Sequence, residues 1–121
     1  STCSYVNEAL AAAALCLSSV IHHEAKGEGY EGQIAVANVV MNRVKSGRYP
    51  NTVCGVVKQR GQFSWVGRKP FTSAKQKLAI EVIQGKHPNN VKGAYYFTNF
   101  SVKFKKRILY IIGRHRFYGQ R

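Results

Sequence analysis

The chain has 121 residues, enough for one hydrophobic core, and is read as a single domain over 1–121. Its 45% hydrophobic content excludes a disordered chain, while 19 Lys and Arg against five carboxylates leave a formal charge of +14. All five carboxylates are glutamates, so chemistry that needs several aspartates is excluded as well.

The first predicted helix runs from about Val6 to Lys26, capped by Ser4 or Asn7 and stopped by Gly27 and Gly29. Its apolar centre, Ala9 to Ile21, resembles the core of a signal peptide. No basic segment precedes it, Glu8 does, and it is shorter than the ~20 residues of a bilayer span, so a core helix is expected. A second helix spans about Glu31 to Lys45, with Ile34, Ala37, Met41 and Val44 forming one apolar stripe, and Gly47 ends it. Thr52 then caps a short third helix, Val53 to Lys58.

Residues 59–71 show no period and form a long loop, a length often associated with function. A fourth helix starts at a Thr72/Ser73 cap and ends at Gly85, with Leu78, Val82 and Ile83 facing inward. His87-Pro88-Asn89-Asn90 is a turn. Ala94 to Thr98 and Ile108 to Ile112 have strand composition, with a helix left open for the second.

Of the three cysteines, Cys16 lies in an apolar helical run and is expected to be a buried free thiol. Cys3 and Cys54 are able to pair in an oxidising compartment, but their spacing does not show whether they do. No CxxC pair or Cys/His ligand spacing is present, so no metal site is expected. Charge is unevenly placed: residues 1–44 hold four glutamates against Lys26 and Arg43, whereas residues 45–121 hold 17 basic residues and Glu81 alone. A field of that sign draws polyanions such as nucleic acid, anionic lipid or envelope polymers, and does not choose among them.

Glu24, Glu28 and Glu31 crowd one glycine-rich stretch in this acid-poor chain. With the helix ending near Gly27, Glu24 sits at a helix C-terminus. There the macrodipole and a neighbouring carboxylate both favour its protonated form, as a general acid requires. The candidate binding residues elsewhere are aromatic and amide-bearing, as sugar sites are: Gln62, Phe63, Ser64 and Trp65 in the long loop, and Tyr95, Tyr96, Phe97 and Asn99 in the first strand segment. His22, His23 and His115 are available for proton transfer, although a lone histidine is more often a packing or surface residue.

The segment from Ile21 to Val44 resembles the signature of the SleB/CwlJ cell-wall hydrolases, the spore cortex-lytic enzymes and their relatives in Gram-negative bacteria and phages. It contains a Glu24-Ala25-Lys26-Gly27-Glu28 box, then Glu31-Gly32-Gln33, then an apolar helix ending in Asn42-Arg43-Val44. The resemblance continues through Tyr49-Pro50-Asn51-Thr52-Val53-Cys54-Gly55, Gln62-Phe63-Ser64, Ala94-Tyr95-Tyr96-Phe97 and Ile112-Gly113-Arg114-His115-Arg116-Phe117-Tyr118. It implies an α+β, mainly helical, lysozyme-like fold with a small β-hairpin region. It also implies peptidoglycan glycan strands as substrate, with Glu24 as the catalytic acid of a lytic transglycosylase that leaves 1,6-anhydro ends. Lys26 stands where the family usually has Arg, which keeps the charge but loses bidentate geometry. Many Gram-negative relatives carry a cysteine beside Gln-Phe-Ser that would pair with the one at position 54; here Gly61 precedes Gln62, so Cys54 lacks that partner.

Composition favours a one-carboxylate mechanism independently. Glycosidases with two carboxylates hold them about 5–5.5 Å or about 6.5–9.5 Å apart, and Glu8 lies about four turns back along the first helix. Glu28 is expected to bind sugar or position Glu24, and no metal or cofactor is required. Two rivals stand beside this expectation: a hydrolytic muramidase with Glu28 as base, and a cationic binding module without catalysis. The expected partners are peptidoglycan and, through the basic surface, anionic envelope polymers. No specific nucleic acid is expected, the chain is read as a monomer, and its place of action as extracytoplasmic.

Overall fold

The computed structural model describes residues 2–59, 73–99 and 104–119, with backbone alone for residues 2–8 and 73. These form four helices, α1 (Thr2–Glu24), α2 (Tyr30–Ser46), α3 (Val53–Lys58) and α4 (Ser73–Ile83), followed by strands β1 (Tyr96–Asn99), β2 (Ile108–Ile112) and β3 (His115–Tyr118). The mainly helical α+β architecture expected from the sequence is the one observed. No helix among the described residues is long and apolar enough to cross a membrane.

Helix α1 begins at Thr2, ahead of both Ser4 and Asn7, so neither caps it. The alanine-rich segment propagates helix past those two weak start signals. It stops at Glu24, and the chain turns through Gly27, whose φ of +86° is open to glycine and costly for other residues. Helix α3 matches the expected bounds, with the Thr52 side chain accepting from the Gly55 N–H. The expected cap of α4 and the loop 59–71 fall largely outside the described residues.

Helix α2 departs from the single stripe expected of it. Every residue from Ile34 to Met41 is buried, and Gly32 and Arg43 with them. Such burial is that of a central helix rather than a surface one. It packs against α1, α3, α4 and the sheet. Leu17, Val20 and Ile21 of α1, Val56 and Val57 of α3, Leu78 and Val82 of α4 and Phe117 of β3 complete the core around it.

The cysteine expectation is corrected. Cys16 is buried but not free: it is disulfide-bonded to Cys54, their Cα atoms 5.3 Å apart. The crossing of α1 and α3 brings the two positions within bonding range, a tertiary fact that sequence spacing does not carry.

The sheet is antiparallel with strand order β1-β3-β2. Strand β3 was not anticipated, because the alternation in Arg114-His115-Arg116-Phe117-Tyr118 is masked by a histidine at an inward position between two arginines; its His115, Phe117 and Tyr118 are all buried. The register pairs Phe97 with Phe117 and Asn99 with His115, so these four share the face turned toward the helices. Tyr96, Thr98, Arg116 and Tyr118 share the outer face.

Candidate active site

Glu24, the last residue of α1, is half-buried in the wall of a cleft of about 310 Å³. His23 precedes it, and Phe97, Thr98 and Asn99 of β1 and His115 of β3 form the opposite side. Among the described residues the lining is mostly polar, with the Glu24 carboxyl, the Asn99 amide and two imidazoles beside the Phe97 ring, while the Thr98 hydroxyl is hydrogen-bonded to that of Tyr118 at 2.8 Å. That set suits a hydroxylated, uncharged ligand better than an apolar one.

The remaining glutamates stand elsewhere. Glu8 lies on α1 sixteen residues ahead of Glu24, about 24 Å away along the helix axis. Glu31 is exposed in the first turn of α2. Glu81 pairs with His87 at 2.9 Å; the His87 hydrogen bond, more than any other influence, holds the Glu81 carboxyl below its ordinary value of 4.5. The segments outside the described residues contain no Asp or Glu. Glu24 is therefore the one carboxylate side chain lining the cleft.

Glu28 is close in sequence but turned to another task. Its Oε1 accepts the backbone N–H of Arg114 at 3.0 Å, in the turn that joins β2 to β3. Gln33 donates to the Glu28 carbonyl at 3.0 Å and fixes the loop from behind. Gly113 allows this approach: its φ is +59°, and a Cβ there would overlap the Glu28 carboxylate. The clamp thus holds the hairpin whose next residue but one, His115, enters the cleft. His115 is 7% exposed, and its Nδ1 has no hydrogen-bond partner among the described residues.

Strand β1 is positioned by the end of α2. Asn42 donates to the carbonyls of Val91 (3.0 Å) and Ala94 (2.8 Å) and accepts from Asn89 (2.7 Å). Buried Arg43 donates to the Tyr95 carbonyl at 2.7 Å, and its guanidinium lies 4.8 Å and 5.2 Å from the rings of Tyr49 and Tyr96. These bonds set where β1 begins, and hence that Phe97 and Asn99 reach the cleft.

Of the residues expected at the site, the structure brings together Glu24, Phe97 and Asn99. Tyr95 and Tyr96 do not line the cleft: Tyr95 stacks on Tyr49, and the Tyr49 hydroxyl donates to that of Tyr96 at 3.2 Å. Gln62, Phe63, Ser64 and Trp65 lie outside the described residues. Thr98 was not singled out, although it adjoins Phe97 in a segment already read as strand. His23 and His115, available for proton transfer on sequence grounds, both line the cleft. Burial and the positive charges of Lys75, His23 and Lys26 hold His22, beside the cleft, below its ordinary value of 6.5. Among the described residues no group of three His, Cys, Asp or Glu side chains is disposed to hold a metal ion.

Comparisons with known proteins agree with this architecture. A family model described as cell wall hydrolase matches residues 27–118, starting just after Glu24. The spore cortex-lytic enzyme of Bacillus subtilis (strain 168) is 35% identical over 86 residues, covering 67% of this chain and 28% of that protein. That of Bacillus cereus is 37% identical over 86 residues, covering 67% and 32%. The chain thus spans about a third of the length of these relatives. The catalytic domain of the Bacillus cereus SleB protein superposes with a TM-score of 0.75 at 28% identity, covering 88% of this chain and 89% of that one. The catalytic domain of the germination-specific lytic transglycosylase SleB from Bacillus anthracis gives 0.73 at 28% identity, covering 88% and 93%. The match over 27–118 takes in three of the four helices and the whole sheet: the chain belongs to the cell wall hydrolase family.

Proposed function

We propose that this chain is a peptidoglycan-cleaving lytic transglycosylase acting outside the cytoplasm, with Glu24 as its acid and base. The observation that carries this reading is the solitary carboxylate in a polar cleft. In the proposed mechanism, Glu24 protonates the glycosidic oxygen between N-acetylmuramic acid and N-acetylglucosamine. The C1–O bond breaks, and the leaving sugar departs as an alcohol. The substrate's acetamido group stabilises the oxocarbenium-like centre. Glu24, now a carboxylate, takes the proton of the muramyl C6 hydroxyl, and O6 closes on C1 to give the 1,6-anhydro end.

Asn99 is suited to hydrogen-bond the acetamido group of the sugar, and Phe97 to pack on its ring. The hydrolytic alternative needs a second carboxylate to activate water. Glu28, its candidate, is engaged with the Arg114 N–H, which favours the transglycosylase. The Cys16–Cys54 disulfide supports a place of action where disulfides persist. Glu24→Gln tests the assignment: lysis of purified peptidoglycan should fall by about 10²–10⁴-fold with an unchanged far-UV spectrum. Wild-type activity in that variant would refute it.

A further inference from the structure

The outer face of the sheet carries a second feature, unrelated to the cleft. Between positions 104 and 111 lie four large apolar side chains open to solvent: Phe104 (39% exposed), Ile108 (42%), Leu109 (41%) and Ile111 (59%). Phe104 lies against the outer-face rings of Tyr118 (4.9 Å) and Tyr96 (5.7 Å). The β2–β3 register sets Ile108 opposite Tyr118 and Ile111 opposite Arg116, so both isoleucines belong to the same outer face. Clustered exposed side chains of this size mark an interaction surface more often than scattered ones do.

The apolar strip has a cationic frame. Lys105, Lys106 and Arg107 precede β2, with the Lys106 ammonium 4.9 Å from the Tyr96 ring centroid; Arg114 and Arg116 stand at the hairpin end. No acid follows Glu81 in the chain, so nothing in its last forty residues offsets this charge. A hydrated polyanion would satisfy the basic groups but leave Ile108 and Ile111 in water. An anionic bilayer satisfies both, taking the isoleucines below its headgroups and the Lys and Arg at its charged surface.

We propose that the outer face of β2 and β3, through Phe104, Ile108 and Ile111 framed by Lys105, Arg107 and Arg114, docks the protein on an anionic phospholipid surface. Strands β1 and β3 carry Phe97, Asn99 and His115 on the opposite face, so a docked molecule keeps the Glu24 cleft turned away from the lipid. The inference does not depend on the catalytic assignment, because it concerns binding alone.

The test is co-sedimentation of the chain with vesicles of phosphatidylcholine plus phosphatidylglycerol and with vesicles of phosphatidylcholine alone. Native protein should sediment with the anionic vesicles and much less with the neutral ones. Ile108→Ser/Ile111→Ser should weaken that partitioning by about tenfold or more. Lys105→Gln/Arg107→Gln should weaken it by about thirtyfold, near fivefold per basic residue. Both variants should keep lysis of soluble peptidoglycan fragments, which also reports that they fold. Unchanged vesicle binding by the isoleucine variant, or equal affinity for heparin, would overturn the proposal in favour of polyanion binding. Failure of native protein to sediment with anionic vesicles would overturn it outright.

Discussion

At the scale of single residues, scarcity is what singles out a candidate acid in the sequence. Five carboxylates in 121 residues, three of them beside a helix stop, directed attention to Glu24 without any structure. What the sequence could not show was the different placement of Glu24 and Glu28. Their spacing is symmetrical on paper; only the hairpin turn folding back onto Glu28 separates a carboxyl lining the cleft from one accepting a backbone N–H. Gly113→Ala tests that placement. It forces a side chain into positive φ and against the Glu28 carboxylate, and should cost at least about 2 kcal/mol in urea denaturation. In a Glu28→Ala background the same substitution should cost measurably less, because the overlap is gone and only backbone strain remains.

At the scale of elements, local signals and tertiary facts part company. Helix α3 was legible to its ends because a threonine cap and a run of valines are local features. Strand β3 was not, since its buried His115, Phe117 and Tyr118 are interleaved with arginines that mask the pattern. That omission also hid His115 as a neighbour of Glu24. The Cys16–Cys54 bond was illegible for a related reason, as it depends on how α1 crosses α3. Closing a 38-residue separation, it should contribute about 4 kcal/mol, read as the drop in unfolding free energy of Cys16→Ala/Cys54→Ala. The Asn42 contacts, by contrast, join elements without a covalent link. Asn42→Ala should lose about 3 kcal/mol, at roughly one per hydrogen bond, and lower the lytic rate more than a surface variant of equal stability.

At the scale of the whole molecule, charge and pH act together. His22 and Glu81 are both held below their ordinary values, so in each case the unfolded chain takes up its proton first as pH falls. The His22 contribution is present above pH 6.5 and is lost as pH drops from there toward the lower folded value. That of Glu81 is present above pH 4.5 and is lost below it. Thermal unfolding against pH should therefore decline in two steps toward acid, and Glu81→Gln should flatten the second alone. The +14 charge was legible from composition, whereas its arrangement around an apolar strip on the outer sheet face was not, because that required the register of β2 on β3. The central claim, one carboxylate doing both proton transfers, is tested most directly by mass spectrometry of the soluble products of purified peptidoglycan treated with wild type and with Glu24→Gln. The account predicts 1,6-anhydro-muropeptides from wild type and none from the variant. Reducing-end muropeptides from wild type would contradict it, showing that water rather than the C6 hydroxyl attacks and that a base other than Glu24 activates it.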